Sequence, residues 1–445
     1  TDRSEQAVEL GLEVLEQLGE KFPKNPTFAH VSIDILKTRR LLRGKTDAFF
    51  LRYRTATDSQ KLAAMQIMVV AFNSVFYERP VLVPLFCTRL IQISLKHGFA
   101  APTSVAFGFY GMFLCSNGRN VEEGTRFGDL ALKLLDRFQA KEWIPRVHAA
   151  VYGFIHTWSR PFDSAIDPLL RGYRVGLETG DVEFAMLDAL ISTFYRFISG
   201  APLVELDRDR SRFLEEMRSR QQATSIMLDS AMAWTIKYLI GINQEQDIPK
   251  RRLLQQWVSR LEVMVAFIFR DHKRAVDIGT GWFAAEPVES VDVVTYFACE
   301  ALSSLAYFKA TGRRNRQLVV RARRHCKLFD RLTKTATDFC LGKLYLLQAE
   351  LASLSSRKKE ETSRSFLVAI ALAESAGNFL DAAIAHETYG RHLEERGNLS
   401  LSLAHLHKAC SSYRDWNAYR KVVALETELE QKSENLSSHI STSIS

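Results

Sequence analysis

Apolar residues fall at helical spacing along nearly the whole chain, and the helices they predict come in pairs. In residues 5–22 the apolar positions Val8, Leu12, Leu15, Leu18 and Phe22 line one face, and Pro23 and Pro26 stop the run. Residues 27–43 predict a helix ended by Gly44, and residues 58–77 another, with Leu62, Met65, Val69, Phe72 and Phe76 on its apolar side. Thr57-Asp58-Ser59-Gln60 has the form of a capping box that starts at Thr57. Pro80 suits the first turn of the next helix, which ends at His97-Gly98. Pairs follow at 103–116 with 121–138, 143–157 with 163–178, 182–199 with 203–220, and 224–241 with 250–271. Residues 272–290 break the pattern and read as an irregular segment. Helices resume at 291–311, 315–332, 336–355, 361–376, 380–396 and 399–414, and a last one covers 415–432.

The pairs are periodic. Gly111, Gly153 and Thr193 occupy matching places in three successive first helices, and Phe127, Leu169 and Asp209 match in the second helices. Turns around Gly312, Arg357 and Gly397 restore the spacing near the C-terminus. A period of about 40 residues marks stacked helix pairs. Strand-like alternation is missing, and no Asn-Gly or Asp-Gly pair joins two strand-like runs. Gly108, Gly111 and Gly153 fall inside first helices, where each costs about 1 kcal/mol against alanine. Close approach of a neighbouring helix is the expected compensation.

Composition narrows the picture only slightly. The 445 residues are 47% hydrophobic and 25% charged, as expected for a globular chain. A net charge of +8 permits an acidic partner without demanding one. Six cysteines at 87, 115, 299, 326, 340 and 410 form no Cys-x-x-Cys pair, and most sit among apolar residues. Buried, reduced thiols are expected rather than disulfides or a zinc site. The longest stretch without Lys, Arg, Asp or Glu, residues 98–118, contains Pro102, Gly108 and Gly111. It reads as a turn followed by a helix buried on all sides, not as a membrane span. The start, Thr1-Asp2-Arg3-Ser4-Glu5, has neither the basic nor the apolar part of a signal peptide. The first helix resembles the second member of a hairpin, so the expectation is a cytoplasmic piece of a longer chain.

Candidate chemistry is thin. Gly44-Lys45-Thr46 ends like a phosphate-binding loop, but the first glycine of that motif would fall at Arg39, on a helix. No ATP binding is expected at Lys45. Gly118, Gly124 and Gly128 lack dinucleotide-binding spacing. His386-Glu387 starts like a zinc-protease motif, yet Gly390 stands where its second histidine belongs. His392, His405 and His407 are close in sequence, and packed hairpins could bring some of the histidines at 386–407 together. Nothing marks a nucleophile or an acid–base pair. The expectation is a chain that is not an enzyme and needs no cofactor.

Basic clusters remain. Arg313, Arg314 and Arg316 lead into Arg321, Arg323 and Arg324, and a weaker group contains Arg208, Arg210, Arg212, Arg218 and Arg220. Spacings of three and four put several on one helix face, which could engage phosphates or an acidic peptide. A solvated outer face is the ordinary alternative. The partner expected is a protein or peptide. Nucleic acid bound through the arginine clusters is the second reading, and no membrane association is expected.

The unit Ala382 to Trp416 resembles a tetratricopeptide hairpin, through Tyr389-Gly390, Gly397-Asn398, Ala404, Ala409 and Tyr413. More broadly, Ala7 to Phe22, Asp58 to Phe76, Tyr110 to Phe138, His156 to Asp181 and Ala382 to Trp416 resemble the helical-repeat region of large multidomain signalling proteins. Those proteins join a Ser/Thr kinase-like domain, a signal-transduction ATPase with numerous domains, this repeat region, a GAF domain and a histidine kinase. The resemblance implies an all-α, right-handed superhelical α-solenoid of tetratricopeptide-like helical hairpins over residues 1–431, with a break at 272–290. Residues 432–445 would form a Ser-rich disordered linker. It also implies a scaffold that senses a partner or regulates the adjoining ATPase. The ATP-binding, kinase and GAF motifs are not in this chain.

Overall fold

The computed structural model describes residues 2–118, 120–242, 255–282, 293–312, 314–334, 338–355 and 359–444. Among them every extended element is a helix, and the one β pairing is an isolated bridge between Thr55 and Phe99. No helix among the described residues is long and apolar enough to cross a membrane. The chain divides into two compact units, Thr1–Trp158 with Asp167–Asp188, and Ser159–Ile166 with Ala189–Ser445.

The first unit contains α1 (Asp2–Gln17), α2 (Phe28–Leu42), α3 (Asp47–Leu51), α4 (Ser59–Glu78), α5 (Val83–His97), α6 (Ala101–Cys115), α7 (Val121–Phe138) and α8 (Ile144–Phe154). Helices α9 (Asp163–Thr179) and α10 (Val182–Ile198) each contribute residues to both units. Its centre is α6, buried at every residue from Pro102 to Gly111. That accounts for the charge-free stretch seen in the sequence. Glycines set the contact between α6 and α7. A Cβ on Gly111 would lie 2.7 Å from the Gly124 carbonyl oxygen and 2.9 Å from Ile155 Cδ1, and one on Gly124 would collide with Cys115 Sγ. Gly153 is also buried, on α8. Replacing Gly111 with leucine is expected to cost about 1–3 kcal/mol through overpacking. Thermal denaturation checks this, and an unchanged midpoint would refute the close contact.

Two local readings change. The cap of α4 is Asp58, not Thr57: Asp58 Oδ1 accepts from the amides of Gln60 at 3.0 Å and Lys61 at 3.2 Å. A carboxylate meets two free amides and the positive end of the helix together, which a hydroxyl cannot do. The short α3 was not legible in advance. Thr46 caps it, accepting from the Phe49 amide at 3.3 Å. The hydroxyl of the Gly44-Lys45-Thr46 motif is therefore occupied by a helix N-terminus, and Gly44 turns left-handed, at φ +72°, just past the end of α2.

The second unit contains α11 (Leu203–Ser219), α12 (Ala223–Ile240), α13 (Gln255–Ile268), α14 (His272–Trp282), α15 (Val293–Ala310), α16 (Arg316–Leu332), α17 (Asp338–Ser353), α18 (Lys359–Ser375), α19 (Phe379–Glu395), α20 (Leu399–Asp415) and α21 (Tyr419–Ile444). Gly312 and Gly397 make left-handed turns between successive helices, as the period requires. Arg357 lies outside the described residues. The irregular segment expected at 272–290 is helical over its first part. Asp271 accepts from the Arg274 amide, and burial of Ala275 and Val276 outweighs the low helix propensity of Gly279 and Gly281. The Ser-rich tail, expected to be disordered from 432, continues α21 as far as Ile444. Lys432 anchors that extension on Glu394 at 2.5 Å and Glu428 at 2.9 Å.

Packing in this unit also departs from a linear array, in which each repeat meets only its neighbours. Asn378 donates to the Ile198 carbonyl at 3.0 Å, and the Leu203 amide donates to the Trp416 carbonyl at 2.9 Å. The beginning of the unit thus bonds directly to elements near its end.

Candidate interaction surface on helix α16

Helix α16 buries Leu318, Val319, Ala322, His325, Phe329 and Leu332, and this stripe fixes which side faces water. Arg314, Arg316, Arg323 and Arg324 are exposed, and none has an ion-pair partner among the described residues. Lys327 and Arg331 extend the same outer face, with Asp330 its one acid. The sequence reading missed these two, although the four-residue spacing 323–327–331 was available as a signal. Val320 lies among these cations, 55% exposed. Arg313 lies outside the described residues.

Arg321 does not belong to this surface. Its guanidinium bonds Glu300 of α15 and reaches Thr280 Oγ1 at 2.7 Å. Glu300 is fully buried; the Ser304 hydroxyl donates to it at 3.0 Å, and His325 Nε2 lies 3.1 Å from its other oxygen. Burial alone would raise the Glu300 carboxyl; the His325 hydrogen bond and the Arg321 charge outweigh it and hold the group below the usual range. Sequence spacing cannot show this, because Arg321 sits at the edge of the stripe that carries His325 and turns inward to a charge on another helix.

The second arginine group is dispersed. Arg210 is fully buried between Asp229 at 2.6 Å and Asp207 at 2.7 Å, while Arg212 and Arg220 pair with Asp209 and Glu216. Burial raises Asp229 to about 6 against the pull of Arg210. The helices also carry cross-ties of both signs. Lys309 of α15 meets Glu350 of α17 at 2.8 Å and Glu395 of α19 at 3.1 Å.

The histidines come together in part. His386 Nδ1 lies 2.9 Å from His405 Nδ1, and His386 Nε2 lies 3.0 Å from Glu374. With Nε2–H donating to Glu374, Nδ1 of His386 accepts and the proton between the rings belongs to His405. Burial lowers both histidines, His405 to about 4. His392 packs instead on Phe366 and Tyr389, and His407 is exposed. No group of three or more His, Cys, Asp or Glu suited to a metal ion occurs among the described residues. All six cysteines are free, and all but Cys326 are buried. In the first unit Asp188 is fully buried with neither carboxylate oxygen bonded, and desolvation raises it well above the usual range.

No protein-family model matches the chain. It is similar to hybrid signal transduction histidine kinase G of Dictyostelium discoideum, at 22% identity over 158 residues, which is 34% of this chain. The match spans only 5% of that protein. Among solved structures, a circular tandem repeat protein with novel repeat topology and enhanced subunit contact surfaces aligns over 99% of this chain and 98% of its own. Its identity is 13% and its TM-score 0.15, too low to bear on the fold.

Proposed function

We propose that the chain is a non-enzymatic, cytoplasmic protein-interaction and regulatory module. Its tetratricopeptide-like hairpins wind into a right-handed superhelix inside a larger signalling protein, and it binds an acidic segment of a partner such as the adjoining ATPase module. The observation that carries this reading is the outer face of α16. Arg196, Arg210, Arg212, Arg220, Arg391 and Arg414 of this unit are tied into ion pairs, and Arg208, Arg218 and Arg364 are exposed singly, whereas α16 gathers Arg316, Arg323, Arg324, Lys327 and Arg331 on one helix, all exposed and unpaired among the described residues. Arg314 and Arg316 stand at the positive end of the helix, where a cation is disfavoured by about 0.3–1 kcal/mol. Helix stability therefore gives no reason for them, and an anionic partner does. The similarity to a signal transduction histidine kinase supports a signalling setting.

Nucleic acid is the second reading. A duplex carries a charge about every 1.7 Å and favours a long basic track. The exposed faces of α18 and α20 mix Glu360, Glu361 and Asp415 with Lys359, Arg364 and Lys408, so the stripe ends with α16. A short acidic peptide fits that length better.

The test is titration of this chain with the ATPase module, read by complex formation and by ATP hydrolysis. A saturable complex is expected that alters hydrolysis, weakens with salt, and is lost by at least about tenfold in Arg323→Glu with Arg324→Glu at unchanged helicity. No complex, or one indifferent to the reversal, refutes the proposal. A nanomolar, salt-sensitive complex with a generic duplex would establish the nucleic-acid reading instead.

A further inference from the structure

The second unit holds a cavity of about 500 Å³ among α15, α17, α18 and α19. That size lies within the range of about 300–1,000 Å³ usual for small-molecule sites. Its lining includes Leu302, Phe339, Leu346, Leu372 and Ile384, and many of the other lining residues are small, such as Ala298, Gly342 and Ala373. Small residues have two uses at helix contacts, and here the distances separate them. At Gly111 an added Cβ would meet backbone at 2.7 Å, so the glycine permits close approach. At Gly342 an added Cβ would meet Leu372 Cβ at 3.7 Å and the Ala369 carbonyl oxygen at 3.9 Å, ordinary contact distances, so this glycine is not needed for close approach. Interiors are otherwise packed to crystal-like density, so this space is held open.

Two polar features define what would fill it. Thr295, on α15, lines the cavity and is 1% exposed, and its hydroxyl has no hydrogen-bond partner among the described residues. A buried hydroxyl without a partner is costly, and a ligand group that bonds it relieves that cost. Lys343 is the one cation in the lining. It is already neutralised by Asp381 at 2.5 Å and seated 3.6 Å from the centre of the Phe339 ring. An anionic ligand would find no free cation, and Asp163, the lining's other carboxylate, is exposed to solvent.

We propose that this cavity binds a small, uncharged, largely apolar molecule carrying one hydrogen-bonding group that meets the Thr295 hydroxyl. The site lies apart from the α16 surface in its residues, so the two readings stand or fall separately.

The experiment uses the neutral fluorophore 1-aminoanthracene as probe, with the whole chain. Saturable one-to-one binding is expected for the wild type. Ala298→Leu and Ala373→Leu, made separately, fill the space and should each weaken binding at least about tenfold while leaving the thermal midpoint unchanged or higher. Thr295→Val should weaken it about fivefold without lowering the midpoint, because the hydroxyl has no structural bond to lose. Arg323→Glu with Arg324→Glu should leave probe binding untouched. Absence of saturable wild-type binding overturns the proposal. So does undiminished affinity in either filled variant that folds, or a fall in stability on Thr295→Val.

Discussion

Replacing Arg321 with glutamate is expected to lower the unfolding free energy by about 3–5 kcal/mol or more, enough to unfold much of the population of a marginally stable chain. The same change at Arg324, three residues on, should stay within about 0.5 kcal/mol. Glu300 has no exposed surface, and its charge is sustained by Arg321, His325 and Ser304. Reversing Arg321 removes one of those partners and sets a second carboxylate against the first. Arg321→Met should be milder than the reversal, and adding Glu300→Leu to it should recover most of the loss, since an apolar pair leaves no buried charge. Urea unfolding followed by far-UV circular dichroism gives the comparison. A loss under about 1 kcal/mol for Arg321→Glu would show that Glu300 is not held as described.

This contrast also marks what a sequence can reveal. Helix α16 was legible because its apolar residues recur at the helical period, and the exposure of Arg316, Arg323 and Arg324 follows from the same wheel. Arg321 sits beside the buried stripe, and whether it turns out to water or in to Glu300 depends on a helix more than ten residues away in sequence. Periodicity carries no such information. Arg210 repeats the lesson, since its partner Asp229 is on the next helix. The close packing at Gly111 was legible, because a glycine inside a helix needs a reason. The room for a methyl group at Gly342 was not, because the same letter serves a contact that needs glycine and one that does not, and only the distance to the neighbour tells them apart. Composition and helical spacing point in different directions in the tail. Serines after Gln431 argue for disorder, whereas Lys432 is spaced four residues from Glu428 and pairs with it at 2.9 Å on α21.

Replacing Lys421 with methionine is the second large effect, with an expected loss of about 3 kcal/mol near pH 7. Glu387 of α19 is buried and accepts from Lys421 at 2.8 Å, the Tyr413 hydroxyl at 2.9 Å and Arg391 at 3.3 Å. Burial pushes its carboxyl up, but the charges of Lys421 and Arg391 and the hydrogen bonds from Lys421 and Tyr413 outweigh burial and hold it below the ordinary value. Arg391 stays in the variant, also bound to Glu428 at 2.6 Å, which keeps the loss toward the low end for a broken buried pair. The pH dependence follows from the direction of the shift. A carboxyl held lower in the folded state than in the unfolded state contributes stability above its unfolded pKa. That contribution disappears as pH falls through the folded value. The gap between wild type and Lys421→Met should therefore be full at pH 7 and narrow below about pH 4, where unfolded glutamates take up protons. Glu387→Gln in the Lys421→Met background removes the stranded charge and should restore part of the loss at pH 7, with little effect at pH 4. Stability curves for the three proteins across this range would decide it. A gap independent of pH would mean that Lys421 contributes through the contact of its ammonium with the Tyr413 ring, 5.4 Å away, and not through the charge of Glu387.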